Sequence, residues 1–149
     1  MLEIKKISVK ELESLVDLAY SGDDDLLNKF HVKKFTQEQA VQSTMNMVRE
    51  AAEVKNINCY AVLNDKKEVG YFITFDEFLY SFGFNKKYRT PIILKAWWQS
   101  VKSVLGEDFF AGVLKNNVRA IKFLEKCGME IYNGFDNELP DDHVCLITV

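Results

Sequence analysis

Apolar positions recur along this chain with two different periods, and their alternation lays out a series of strands and helices. Leu2 to Ile7 alternates with a period close to two, which predicts a first strand. Ser8 follows, with Glu11 three residues on, the pattern of a capping box at a helix start. Leu12, Leu15, Val16 and Ala19 then share one helical face. Ser21-Gly22-Asp23-Asp24-Asp25 reads as a loop, and Leu26 to Phe35 shows no clear period beyond a short helical turn. Thr36 is a second helix cap, followed by Glu38 and Gln39, and Val41, Met45, Val48 and Ala52 form the stripe of a helix reaching about Val54. Asn58 to Leu63 and Glu68 to Phe75 read as a hairpin around the turn Asn64 to Lys67. Leu79 to Phe84 is a further strand, with Gly83 marking a bulge or a close backbone approach.

Thr90-Pro91 opens the next helix. Thr is a good cap, and Pro in the first helical position gives up an N–H that would have had no partner. Leu94, Trp97, Trp98, Val101 and Leu105 supply its stripe and Gly106 its stop. Helical spacing turns one of the two tryptophans to the core and leaves the other for an interface. Phe109 to Leu114 reads as a buried strand. Asn117 caps a last helix with Ala120, Ile121, Leu124 and Cys127 inward and Gly128 at its end. Met129 to Tyr132 and Val144 to Val149 are closing strands, joined by a polar, acidic loop. The order is β-α-α-β-β-β-α-β-α-β-β. Strand Leu79–Phe84, helix Pro91–Leu105 and strand Phe109–Leu114 form a β-α-β unit, so those two strands are expected to be parallel and the hairpins antiparallel. The fold class is α/β, or α+β, with a mixed sheet, and residues 1–149 read as one domain.

Composition narrows the classes. The chain has 149 residues, 48% of them apolar and 13% aromatic, a globular balance. The net charge of −3 argues against a duplex-nucleic-acid binder held by global charge. No apolar run approaches the roughly 20 residues that span a bilayer, so no membrane association is expected. The start, Met1 to Lys10, lacks a secretory pattern. Three widely spaced cysteines, Cys59, Cys127 and Cys145, suggest neither a disulfide frame nor a zinc knuckle, and the expected setting is reduced and cytoplasmic. His31 and His143 stand alone, so no metal site is expected. A thiol nucleophile built from Cys127 and His143 is disfavoured, because Cys127 falls at the buried end of a helix and reads as a core thiol.

Charge is uneven, and its position carries information. Phe78 to Gly106 contains no Asp or Glu but holds Lys86, Lys87, Arg89, Lys95 and Lys102. The first N–H groups of a helix lack chain partners and its dipole is positive there, so acidic residues are the stabilising choice in that turn. This chain instead sets Lys86, Lys87 and Arg89 just before Pro91, at the strand edge where open sheets bind ligands. That is the arrangement of an anion site, with phosphate as the natural guest.

From Asn117 to Met129 the chain resembles a motif of the GNAT superfamily of acyl-CoA-dependent N-acyltransferases. Asn117, Ala120, Glu125, Lys126 and Gly128 match that pattern, and Met129 stands at the place of its Phe. Lys87-Tyr88-Arg89 is similar to the lead-in of the family's pyrophosphate loop, Arg/Gln-x-x-Gly-x-Gly/Ala, with Arg89 at the Arg place and Ile92 and Leu94 at the two glycine places. The similarity covers nearly the whole element order, and at motif level about Phe84 to Ile131. It implies a GNAT-like mixed, mostly antiparallel sheet with a splayed parallel central strand pair and flanking helices. It implies acetyl-CoA or another acyl-CoA as co-substrate, an amine as acceptor, and ligand contacts from Phe82, Phe84, Lys87, Arg89, Thr90, Ile92, Ile93 and Asn117. Asn117 would order the pantetheine arm. No catalytic residue is assigned. Leu124 occupies the place of the family's acid Tyr, and strand Leu79–Phe84 carries no carboxylate. Asp76 and Glu77 precede that strand, as a base acting through water or as a polar turn.

Two readings follow. The first is an N-acyltransferase that moves an acyl group from acyl-CoA to an amine. The second is the same fold without catalysis, a binding or assembly protein of the kind that phages encode, for which a homodimer or an assembly partner is expected.

Overall fold

The computed structural model describes residues 2–24, 36–133 and 143–148. The segment Leu26 to Phe35 with His31, and the acidic loop from Asp136 to Asp142, lie outside the described residues. Among the described residues, seven strands form one sheet in the order β1-β2-β3-β4-β5-β7-β6. The strands are β1 (Leu2–Ile7), β2 (Asn58–Asn64), β3 (Lys67–Phe75), β4 (Phe78–Phe84), β5 (Phe110–Leu114), β6 (Met129–Tyr132) and β7 (His143–Thr148). Every neighbouring pair is antiparallel except β4 and β5, which run parallel. The helices among the described residues are α1 (Val9–Tyr20), α2 (Gln37–Val54), α3 (Pro91–Leu105) and α4 (Val118–Lys126). The mixed α/β class and the parallel central pair therefore stand as the chain pattern predicts.

Local chemistry fixes the boundaries. Ser8 with Glu11, and Thr36 with Gln39, form reciprocal capping boxes at α1 and α2. Thr90 caps α3 with Pro91 next, and Gly106 ends it at φ 87°, a backbone region that costs glycine little. Asp65 and Lys66, both at positive φ, make the two-residue turn between β2 and β3, the twist that suits a tight hairpin.

Two apolar layers sandwich the sheet. Leu12, Leu15 and Val16 of α1 pack with Val41, Met45 and Val48 of α2 over Ala61, Tyr71 and Ile73. On the other face, Trp97, Trp98 and Val101 of α3 and Leu124 of α4 cover Val62, Phe72, Leu79 and Phe84. Both tryptophans are buried, which corrects the expectation of one at an interface. The Trp98 ring closes on Phe109 at 5.3 Å between centroids. Adjacent helical residues lie about 100° apart, so an apolar stripe of ordinary width takes in both.

A bulge governs β4. Ile73 pairs with Ser81 and Thr74 with Leu79, so Tyr80 is an extra residue in the ladder. Strand residues three apart ordinarily face opposite sides; the extra residue lets Leu79, Phe82 and Phe84 share the α3–α4 face. The irregularity therefore sits at Tyr80 and not at Gly83. Gly83 is the close approach: a Cβ there would lie 2.8 Å from Tyr71 Cε1 and 2.9 Å from Ala19 Cβ. Gly83→Ala is expected to destabilise the fold by roughly 1–3 kcal/mol, since an added methyl in a filled space forces neighbours to shift. Urea unfolding checks this, and an unchanged midpoint contradicts the close packing of α1 on β4.

Candidate functional site

The site begins where the sheet stops being continuous. β4 and β5 share only two ladder positions, Phe78 with Phe110 and Leu79 with Ala111. Beyond them β4 stays on β3 as far as Phe84, and β5 stays on β7 as far as Leu114. The parting starts at the Tyr80 bulge. A bulge adds local twist and bend, so it turns the rest of β4 away from β5.

Parting leaves main-chain groups exposed to the opening. Asn85 N donates to Val69 O at 2.9 Å, which sets the phase of the β3–β4 ladder. By strand alternation Ser81 and Gly83 direct their N–H and C=O toward β3, while Phe82 and Phe84 direct theirs toward the opening. The Phe84 carbonyl is taken by the Arg89 guanidinium, and the remaining groups of this edge are placed to pair with an extended ligand bearing amides.

α3 begins at the open end. Thr90 Oγ1 accepts from Ile93 N at 3.3 Å, and Thr90 O accepts from Leu94 N at 2.9 Å. Pro91 has no N–H. The Ile92 amide is thus left as the first-turn donor without an acceptor among the described residues. The Ile92 side chain is 83% exposed and does not plug the opening, and Leu94 turns into the core. Lys86 and Lys87, in a short turn of 3-10 helix, are exposed beside this helix start. Across the opening Asn117 caps α4, its Oδ1 accepting from Ala120 N at 3.2 Å, which leaves its amide NH2 as a donor.

Arg89 takes a course that spacing does not show. Its Nε and Nη2 donate to Phe84 O at 3.0 and 2.7 Å, Nη2 also reaches Ala19 O at 3.4 Å, and Nη1 pairs with the Asp23 carboxylate. Every guanidinium nitrogen is engaged within the chain. Asp23, read from the sequence as part of a polar loop, is fully buried, with Arg119 Nη1 4.0 Å from its other oxygen. Asn85 reinforces the tie through its side-chain amide, which donates to Leu18 O at 2.8 Å. The end of α1 is therefore clamped to the β4–α3 connection. Asp76 and Glu77 form an exposed turn before β4, with Glu77 O accepting from Phe110 N at 2.9 Å, at the closed end of the parallel pair.

Other reactive groups are quiet. Burial pushes the Cys59 and Cys127 thiols up to about 11, so neither is a thiolate near neutrality. Leu124 is buried in the core and offers no proton. No group of three His, Cys, Asp or Glu suited to a metal occurs among the described residues. No helix among them is long and apolar enough to cross a membrane.

No family model matches the chain, and no curated protein is similar to it in sequence. Solved structures do match. Their shared architecture gives the class: this chain has the fold of the GNAT acetyltransferases. The particular structures include the PaiA N-acetyltransferase of Thermoplasma acidophilum in complex with coenzyme A, at a TM-score of 0.65 and 13% identity, covering 99% of this chain and 98% of that one. A GNAT-family acetyltransferase of Bacillus anthracis matches at 0.57 and 20% identity, over 99% and 94%. The aminoglycoside acetyltransferase AAC(6')-Ib, in complex with coenzyme A and kanamycin, matches at 0.66 and 11% identity, over 100% and 95%.

The Arg89 clamp and the raised thiols each lead to a measurable outcome. Arg89→Ala removes one charged partner of the buried Asp23 carboxylate and is expected to cost roughly 1–3 kcal/mol, measured by denaturant unfolding. A loss below a few tenths would show that the pair is not closed in solution. For the thiols, the folded values lie above the ordinary 9.0, so the contribution they make is intact below about pH 9 and is lost as pH rises toward 11. Burial also raises Tyr20, Tyr71 and Tyr80, which act in the same direction at higher pH. Unfolding midpoints are expected to hold from pH 7 to about 9 and then fall, with slow alkylation of Cys59 and Cys127 at pH 8. Rapid alkylation of the native protein there would contradict it.

Proposed function

We propose that this chain is an N-acyltransferase that binds acetyl-CoA or another acyl-CoA in the β4–β5 opening and delivers the acyl group to an amine. One observation carries the reading: the central strands part after Leu79 and Ala111, and the gap leads to the cationic start of α3. The coenzyme A complexes of PaiA and of AAC(6')-Ib, on the same fold, support it.

Each residue then has a task. The main-chain groups of Phe82 and the Phe84 N–H face a pantetheine arm along the edge of β4. The Asn117 side-chain amide meets the arm from α4. The Ile92 amide, Thr90, Lys86 and Lys87 face the diphosphate, with the Ile93 amide already taken by the Thr90 cap. Arg89 serves by holding the turn from Phe84 to Thr90 in place. Bound acyl-CoA supplies the thioester. Leu124 provides no acid, so the chain contributes orientation of the amine and backbone polarisation of the reacting carbonyl.

The engagement of Arg89 with Asp23 favours a second reading, in which the fold is kept and serves as a binding or assembly protein without transfer. Calorimetric titration with acetyl-CoA, followed by thiol release across a panel of primary amines, separates the two. The acyltransferase reading expects micromolar binding and amine-dependent thiol release. No heat and no thermal shift at millimolar acetyl-CoA would overturn it. Lys86→Glu with Lys87→Glu is expected to weaken binding at least tenfold at low salt, less at high salt, with an unchanged melting temperature. Unchanged affinity would remove both lysines from the site.

A further inference from the structure

Trp97 is wholly buried, and its indole Nε1–H has no hydrogen-bond acceptor among the described residues. Its neighbours are rings: Phe82 at 4.9 Å, Phe84 at 5.3 Å, Phe123 at 5.7 Å, and Phe72 and Trp98 both at 6.2 Å between centroids. A phenylalanine would fill most of this space without the cost of an unpaired buried N–H, so the indole needs an explanation. Position supplies one. Phe82 and Phe84 lie on the part of β4 that has left β5, and Phe123 lies on α4, which follows β5. Trp97 therefore lies directly beneath the rings that border the opening on its α3–α4 side. Among the rings around it, Phe82 and Phe123 retain partial exposure and are the ones an entering chain would press aside.

We infer that Trp97 is a ligand-binding residue whose indole N–H donates to an amide carbonyl of the arm of the acyl donor. The inference rests on the acyl-CoA reading and deepens it. The unpaired Phe82 main-chain groups and the Trp97 N–H then address the same extended, amide-bearing ligand from two directions. The folded protein carries the unsatisfied donor when empty, and binding satisfies it.

Two indole N–H resonances make the test direct, because the chain has two tryptophans. In 15N-labelled protein, loss of one resonance in Trp97→Phe assigns it, and Trp98→Phe assigns it by elimination should the first variant not fold. Titration with coenzyme A, and separately with pantetheine, is expected to move the Trp97 indole resonance in a saturable way. Trp97→Phe is expected to bind coenzyme A about tenfold more weakly, the worth of one hydrogen bond, while melting no lower than the parent. Movement of other resonances on coenzyme A binding with a stationary Trp97 indole would overturn the inference and leave the acyl-CoA reading in place. A Trp97→Phe protein that melts lower and binds coenzyme A as tightly as the parent would assign the N–H to a ring face such as Phe84, and would also overturn it. No resonance moving at millimolar coenzyme A would overturn both.

Discussion

The structure depends on an interruption in its hydrogen-bond ladder. A sheet gains by pairing every strand edge, yet β4 and β5 pair at two positions and then part. One residue, Tyr80, makes this possible. By adding itself to β4 without a partner it bends the strand, and it brings Leu79, Phe82 and Phe84 to one face so that the core beneath stays apolar and filled. The opening is thus built into the packing. It is held apart by β3 on one side and β7 on the other, both paired along nearly the whole length of their neighbours.

What surrounds the opening is not what stability alone would choose. The chain places lysines just before a helix start, where acidic residues would stabilise more, and keeps a buried indole N–H with no acceptor among the described residues. It also commits one cation internally. Arg89 bonds to the last carbonyl of β4, to the end of α1 and to the buried Asp23, and so fixes the loop that leads into α3. Pro91 removes one amide and the Thr90 cap takes that of Ile93, so the helix start has few amides to offer an anion, and the turn before it is held by the Arg89 side chain. This explains how the fold can keep its helix start oriented while departing from the glycine pattern.

Much of the architecture is legible in local signals. Caps and stops are short-range chemistry, and they place α3 at Pro91–Leu105 and β6 at Met129–Tyr132. The parallel pairing of β4 with β5 follows from the β-α-β order alone. What stays hidden is non-local. Asp23 lies 66 residues before Arg89, and nothing in a run of three aspartates marks the first as buried. The bulge at Tyr80 depends on register with β3, whereas Gly83 is visible in the sequence as an irregularity and turns out to be a packing position. Trp98 stands on the legible apolar stripe of α3, but the ring that covers it, Phe109 at the entry to β5, is a non-local partner.

The central claim is that, among the described residues, the edge of β4 beyond Leu79 has no strand paired beside it. Native-state amide hydrogen exchange reads this residue by residue. Ser81 and Gly83, whose amides point to β3, are expected to be protected, while Phe82 and Phe84 exchange markedly faster in the ligand-free protein. Equal, strong protection at all four amides would show the two strands zipped together, and the opening on which the proposed function rests would not exist.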